Sequence, residues 1–276
     1  MSEKTKDNHP TYLITKDVKE TIENKFGLHL SKRANAKIDR LSDEFVRKFW
    51  KVSGLPQNVE RCERSASELS GKLMAMLRKT GYDVISLDRV YVPNAPAYLE
   101  VTRKTDPQTD AVTISERSGT RPLPEQLASL KKYENVAVVD VGAYGGDTLL
   151  EVCRMLDEQG TCVKEIYLGV AGDKVSAKID GRRELNVIEE FNLYEWIELR
   201  DFLGIDGRYV GLSKSGNKLY RPYWENLVKW ASIPEENEPK VAELCSTYAA
   251  KLMTILRSEI DEKTIKGRIG EIYSKD

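Results

Sequence analysis

Nine consecutive residues, Asp140-Val141-Gly142-Ala143-Tyr144-Gly145-Gly146-Asp147-Thr148, place two acids, three glycines and two hydroxyls directly behind the apolar run Val136-Ala137-Val138-Val139. A buried strand that ends in a glycine turn and restarts as a helix aims backbone N–H groups, and the positive end of a helix dipole, at one spot. Such a spot holds an anion, most often a phosphate. The Asp140 carboxylate, near the carboxyl end of that strand, accepts hydrogen bonds from the hydroxyls of a ribose or similar polyol. The segment therefore reads as a sugar-phosphate holder, with the phosphate resting on Tyr144, Gly145, Gly146, Asp147 and Thr148. The competing reading is a glycine turn that only permits close helix–strand packing, with Asp147 serving as a helix cap.

Other chemistries are poorly supplied. The chain has two histidines, His9 and His29, and four scattered cysteines (Cys62, Cys153, Cys162, Cys245) with no CxxC pair. A Cys/His zinc centre and a Ser-His-Asp triad are thus not expected, and no protein metal site is assigned. What is left is carboxylates, Lys and Arg, Tyr, backbone donors, or a metal held by oxygen atoms. Lys+Arg 43 against Asp+Glu 44 gives a net charge of -1, so nucleic acid is not indicated as a partner. No apolar run approaches the ~20 residues of a membrane helix. The opening MSEKTKDNHP lacks a secretory apolar segment, which makes the cytoplasm the expected location.

The elements that must carry this segment follow from periodicity. Residues up to about Gly54 read as helical, on Val18, Ile22 and Phe26 and then Ile38, Leu41, Phe45, Val46 and Phe49. Ser65-Ala66-Ser67-Glu68 is a capping box before Leu69, Leu73, Met76 and Leu77. Residues 83–92 alternate as a strand, and Pro93-Asn94-Ala95-Pro96 forces a turn. From Asp110 onward strands and helices alternate: strand 111–115, a helix with Leu127 and Leu130, strand 136–141, helix 148–158 closed by Gly160, strand 163–170. This grammar predicts an α/β fold whose three-layer core, built on a parallel sheet, spans residues 65–172. A helical section, 1–64, precedes it and an α+β cap, 173–276, follows. In the cap, Asp180-Gly181 predicts a hairpin, Asn192 caps a helix through Trp196, Leu199 and Leu203, and Ser215-Gly216-Asn217 turns a second hairpin. The cap aromatics, among them Trp196, Phe202, Tyr223 and Trp230, read as core, with base stacking over the pocket as the alternative. Arg200-Asp201 reads as an ordinary ion-pair set.

The segment 140–148 resembles the phosphoribosyl-diphosphate loop of type I phosphoribosyltransferases. Asp140 takes the place of the first acid, and Tyr144 to Thr148 that of the 5′-phosphate loop, with Gly146 and Thr148 matching closely. The flanks TLLEVCRMLDEQGTCVKEIYLGVAG and ASELSGKLMAMLRKTGYDVISLDRVYV are similar to the family's neighbouring helices and strands, so the likeness covers roughly residues 65–172. It implies a phosphoribosyltransferase-like fold and glycosyl transfer to or from a nucleobase. Asp140 would be the catalytic, ribose-binding residue, and phosphoribosyl diphosphate or a nucleotide the small-molecule partner. Mg²⁺ would bridge the ribose hydroxyls and the diphosphate. The chain departs from the family at Val141, in place of a second acid, and at Tyr144 and Gly145, in place of small hydroxyl residues. The turn Pro93-Asn94-Ala95-Pro96 has no glycine pair where the family wraps diphosphate, and proline offers no N–H. Arg117 and Arg121, in SERSGTRP, are the candidates to hold diphosphate instead, since guanidinium grips phosphate bidentately. Without that grip the alternative is a non-catalytic nucleotide-sensing or assembly module acting as an oligomer or with a protein partner. VVDVGAYGGDT is also similar to the first motif of S-adenosylmethionine-dependent sugar-hydroxyl methyltransferases, although the next strand, ending Tyr167-Leu168-Gly169-Val170, lacks their ribose-binding acid.

Overall fold

Alternate residues of the apolar run before Asp140 face opposite helices. Val136 and Val138 pack with Leu149, Val152, Cys153 and Leu156, while Ala137, Val139 and Val141 pack with Leu69, Leu73 and Leu77. A strand covered on both faces has no polar side to alternate with, which is why the run is wholly apolar. The computed structural model describes residues 9–106, 109, 112–117, 120–179, 181–205, 208–212 and 218–268. In chain order its strands are β1 (Thr11–Lys16), β2 (Glu60–Ser65), β3 (Asp83–Ser86), β4 (Ala97–Tyr98), β5 (Val101–Thr105), β6 (Val112–Glu116), β7 (Asn135–Ala143), β8 (Cys162–Gly172), β9 (Glu184–Phe191), β10 (Leu193–Glu198), β11 (Arg208–Leu212) and β12 (Lys218–Arg221). The central sheet is parallel throughout, in the order β4-β3-β7-β8-β9. The helix Asp147–Glu158 covers one face and Ala66–Leu77 the other, giving the expected three-layer α/β core.

The two ends of the chain build a second core together. β1 pairs in parallel with both β2 and β10, so residues near the start and residues after 192 share one sheet. Against it lie the helices Lys32–Val52 and Glu238–Arg257, with Phe45 meeting Tyr248 at 5.5 Å and Phe49 meeting Phe202 at 5.1 Å between ring centroids. A third, mixed sheet, β12-β11-β5-β6, stands over the carboxyl end of β7. Among the described residues no helix is long and apolar enough to cross a membrane.

Several local expectations give way to this topology. Residues 11–16 form β1 rather than helix, because pairing on both edges satisfies a backbone that is buried from Thr11 to Thr15. The Asp180-Gly181 hairpin does not form: β9 runs parallel to β8 over seven paired positions, and Val175–Lys178 is a single helical turn. Asn192 precedes a strand rather than a helix. Its carbonyl accepts the Thr11 N–H at 2.7 Å, and residues 193–198 continue as β10. At the capping box, Ser65 Oγ hydrogen-bonds Ser67 Oγ at 2.7 Å instead of a helix amide. β11 and β12 are antiparallel as expected, while the turn at 215–217 lies outside the described residues.

Candidate functional site

At the end of β7 the backbone is packed too closely for side chains. A Cβ on Gly142 would lie 2.6 Å from the Val170 carbonyl oxygen and 2.9 Å from the Trp196 ring. The chain then turns through Tyr144 and Gly145 into Gly146, whose φ of +82° makes it a left-handed N-cap to the helix Asp147–Glu158. The amides of residues 146–149 precede the first intrahelical donor, Leu150, which bonds the Gly146 carbonyl at 2.9 Å. Among the described residues no side chain or turn carbonyl takes them up. Tyr144 bends away from this opening, its hydroxyl donating to the Leu193 and Tyr194 carbonyls at 3.2 and 3.1 Å. Asp147 is paired, its Oδ1 2.7 Å from Lys178 Nζ. The loop therefore presents backbone donors beside a carboxylate that Lys178 neutralises. Gly146→Ala is expected to cost about 1–2 kcal/mol, the price of a Cβ in the left-handed region. A lower urea midpoint at unchanged slope would report it, and an unchanged midpoint would refute the strained cap.

The loop floors a cleft of about 940 Å³. Its lining includes Asp140, Asp88 and Arg117, residues of β5 and β6, and the aromatics Trp196, Tyr223 and Trp230. Asp140 Oδ1 accepts the Val141 N–H at 2.8 Å, and no partner engages its other oxygen among the described residues. Burial first, and the Asp88 carboxylate second, push the Asp140 carboxyl up to about 7 against the pull of Arg117. A carboxyl poised there changes charge near neutrality.

Asp88 lies in the turn after β3. Its Oδ1 accepts the Val90 N–H at 2.8 Å, and its Oδ2 is 2.6 Å from Arg200 Nη2 and 3.1 Å from Arg117 Nη1. Burial opposes its ionisation, yet the two guanidinium groups hold the carboxyl well below the usual range. Arg200 is the hub. With a side-chain exposure of 1%, it also reaches Glu198 at 2.5 Å and Asp17 at 3.2 Å, and its backbone N–H donates to Asp17 at 3.0 Å. Glu198 in turn accepts the Tyr91 hydroxyl at 3.1 Å. Arg200 is thus no ordinary surface ion pair: it ties β1, the β3 turn and β10 together beneath the cleft.

Of the residues expected at the site, Asp140, Tyr144, Gly145, Gly146, Asp147, Thr148 and Arg117 line this one cleft. Arg121 does not; with Pro96 of the glycine-free turn it lines a separate cleft. The residues after β3 that reach the Asp140 cleft are Leu87 and Asp88. Sequence reading passed over Asp88 and Lys178 and took Arg200 for an ordinary ion pair; their partners Arg117, Asp147 and Asp17 lie 29, 31 and 183 residues away. Among the described residues no cluster of three or more His, Cys, Asp or Glu is arranged to hold a metal ion.

No protein-family model matches the chain, and no curated protein does. Solved structures similar to it include a purine phosphoribosyltransferase from Pyrococcus horikoshii at 15% identity, covering 48% of this chain and 85% of that one, with a TM-score of 0.33. A Neisseria gonorrhoeae hypothetical protein with bound ppGpp is similar at 14% identity, 48% and 82% coverage and a TM-score of 0.32. The orotate phosphoribosyltransferase of Mycobacterium tuberculosis, in complex with phosphoribosyl diphosphate, matches at 12% identity, 60% and 93% coverage and a TM-score of 0.28. At these values the α/β assignment stands on the strand order and packing described above.

Proposed function

We propose that the Asp140 cleft binds a ribose 5′-phosphate group, carried by phosphoribosyl diphosphate or by a nucleotide. The observation that carries this reading is the left-handed N-cap at Gly146, which leaves the amides of residues 146–149 facing an open cleft beside an acid with an uncommitted oxygen. The amides and the Thr148 hydroxyl take the phosphate, as at other helix N-termini. Asp140 accepts the ribose hydroxyls. Asp140 also suits a hard cation such as Mg²⁺ as one oxygen ligand, since burial and the Asp88 carboxylate raise its pKa despite Arg117, and added positive charge would offset both. Mg²⁺ held by Asp140 and by the ligand's own oxygens would neutralise a departing diphosphate. The rest of a phosphoribosyl transfer is positioning and electrostatic work, which needs no nucleophile from the protein.

A binding module without turnover is the second reading, and Asp88 favours it. An acid, rather than a glycine pair, follows β3 at the cleft, and Arg117 already donates a hydrogen bond to it. Incubation with labelled phosphoribosyl diphosphate and a panel of nucleobases separates the two. Base-dependent release of diphosphate marks a transferase; saturable binding without release marks a sensor. Ribose 5-phosphate at a hundred times its Kd is expected to stabilise the fold by about 2.7 kcal/mol. No thermal shift with any phosphoribosyl ligand, or a shift with S-adenosylmethionine alone, would remove this proposal.

A further inference from the structure

A second cleft, of about 800 Å³, opens on the far side of the turn after β3. Consecutive residues divide there: Asp88 lines the Asp140 cleft and Arg89 lines this one. Its lining carries four cations, Lys25, Arg89, Arg121 and Lys132, against a single acid, Glu100. Glu100 is 8% exposed, and its Oε2 sits 3.2 Å from Arg89 Nη2, so the one negative charge is already matched. A concave wall with cations in excess concentrates anions by focusing the field.

Arg89 is held in place. Arg89 lies over the Tyr98 ring with 3.7 Å between guanidinium carbon and ring centroid. The Tyr98 hydroxyl is fixed in turn, donating to the Val92 carbonyl at 3.1 Å and accepting the Ala95 N–H at 3.0 Å. A guanidinium stacked on a ring keeps its N–H edge for an oxyanion. Gln126, 3% exposed, accepts the Glu100 N–H at 2.8 Å and donates to the Arg121 carbonyl at 2.7 Å, which pins the backbone that presents Arg121. The volume far exceeds one inorganic phosphate and lies within the range of small-molecule sites.

We propose that this second cleft binds a phosphorylated small molecule of nucleotide size, with its phosphates between Arg89, Arg121 and Lys132. The inference does not depend on what occupies the Asp140 cleft. ADP, without added metal, is titrated calorimetrically into the full chain carrying Thr148→Glu, which puts a blocking charge on the other loop. One ADP site is expected to persist there. Adding Arg121→Glu and Lys132→Glu is expected to weaken it about tenfold or more, a loss of at least ~1.4 kcal/mol. Should the charge reversals lower the melting temperature, Arg121→Gln with Lys132→Gln in the same background is expected to weaken ADP in the same direction. Failure of the Thr148→Glu chain to bind ADP below about 1 mM, or binding indifferent to both pairs of substitutions, overturns the proposal. Loss of ribose 5-phosphate binding on Thr148→Glu, in a chain carrying Arg121→Gln and Lys132→Gln throughout, judges the earlier reading separately.

Discussion

Replacing Arg200 by methionine is expected to lower the unfolding free energy by about 3–5 kcal/mol, the cost of leaving buried charges without their partner. Arg200 is 1% exposed and faces three acids: Asp17 after β1, Asp88 after β3 and Glu198 at the end of β10. Methionine fills much of the volume but neutralises none of them. Asp88 would keep Arg117, whereas Asp17 and Glu198 would lose their principal countercharge. Burial already pushes the Asp17 and Glu198 carboxyls up, so in the variant they would take up protons at higher pH. The loss should therefore be smaller at pH 5 than at pH 8. Urea melts at both values measure it, with Arg154→Ala as a contrast. Arg154 makes pairs of similar kind with Glu151 and Glu158, but its side chain is 54% exposed, and its loss is expected to leave the urea midpoint nearly unchanged. Equal effects of the two substitutions would mean that the buried hub contributes no more than a surface pair. The same variant should lose ligands of the Asp140 cleft, since Asp88 and Arg117 would no longer be held against β10.

What the sequence revealed and what it hid divide by the range of the interactions. β7, its glycine turn and the helix beginning at Asp147 are local: the apolar run 136–139, the left-handed glycine and the helical periodicity lie within about 20 consecutive residues, and each specifies the same turn. β1 and β10 are not local. Leu193-Tyr194-Glu195-Trp196-Ile197 alternates well enough for a strand, but Asn192 beside it imitates a helix cap, and only pairing with residues 11–15 decides between them. Arg200 was illegible for the same reason. Charged side chains are rarely buried unless paired, and Asp17 and Asp88 lie 183 and 112 residues away. Arg117 and Arg121 show how fine the missing information is. They stand four residues apart in one loop, yet the Asp88 ion pair draws the first into the Asp140 cleft, while the Gln126 hydrogen bond fixes the second at the other.

Asp140→Asn is expected to make the protein more stable at alkaline pH and to abolish ribose recognition. The carboxyl titrates about 7 in the fold against an ordinary value of 3.8. Between those values the native chain holds a proton that the unfolded chain has released. Stability therefore falls as pH rises from about 4 to about 7, and the penalty persists undiminished above that. Asparagine is neutral throughout and still offers a carbonyl oxygen to the Val141 N–H. Its advantage should be near zero below pH 4 and on the order of 2 kcal/mol at pH 8, a discounted share of what a shift of this size is worth. Binding should run the opposite way. An ionised Asp140 accepts ribose hydroxyls more strongly than a protonated one, so affinity for ribose 5-phosphate in the unsubstituted chain should climb through pH 7. In Asp140→Asn it should be weak and flat across that range. A half-buried acid that destabilises the fold near neutrality is retained at a cost, and a ligand that supplies hydroxyl donors or a cation gives that cost a purpose. Equal stability of the two chains at pH 8, with parallel binding profiles, would reduce Asp140 to an ordinary strand residue.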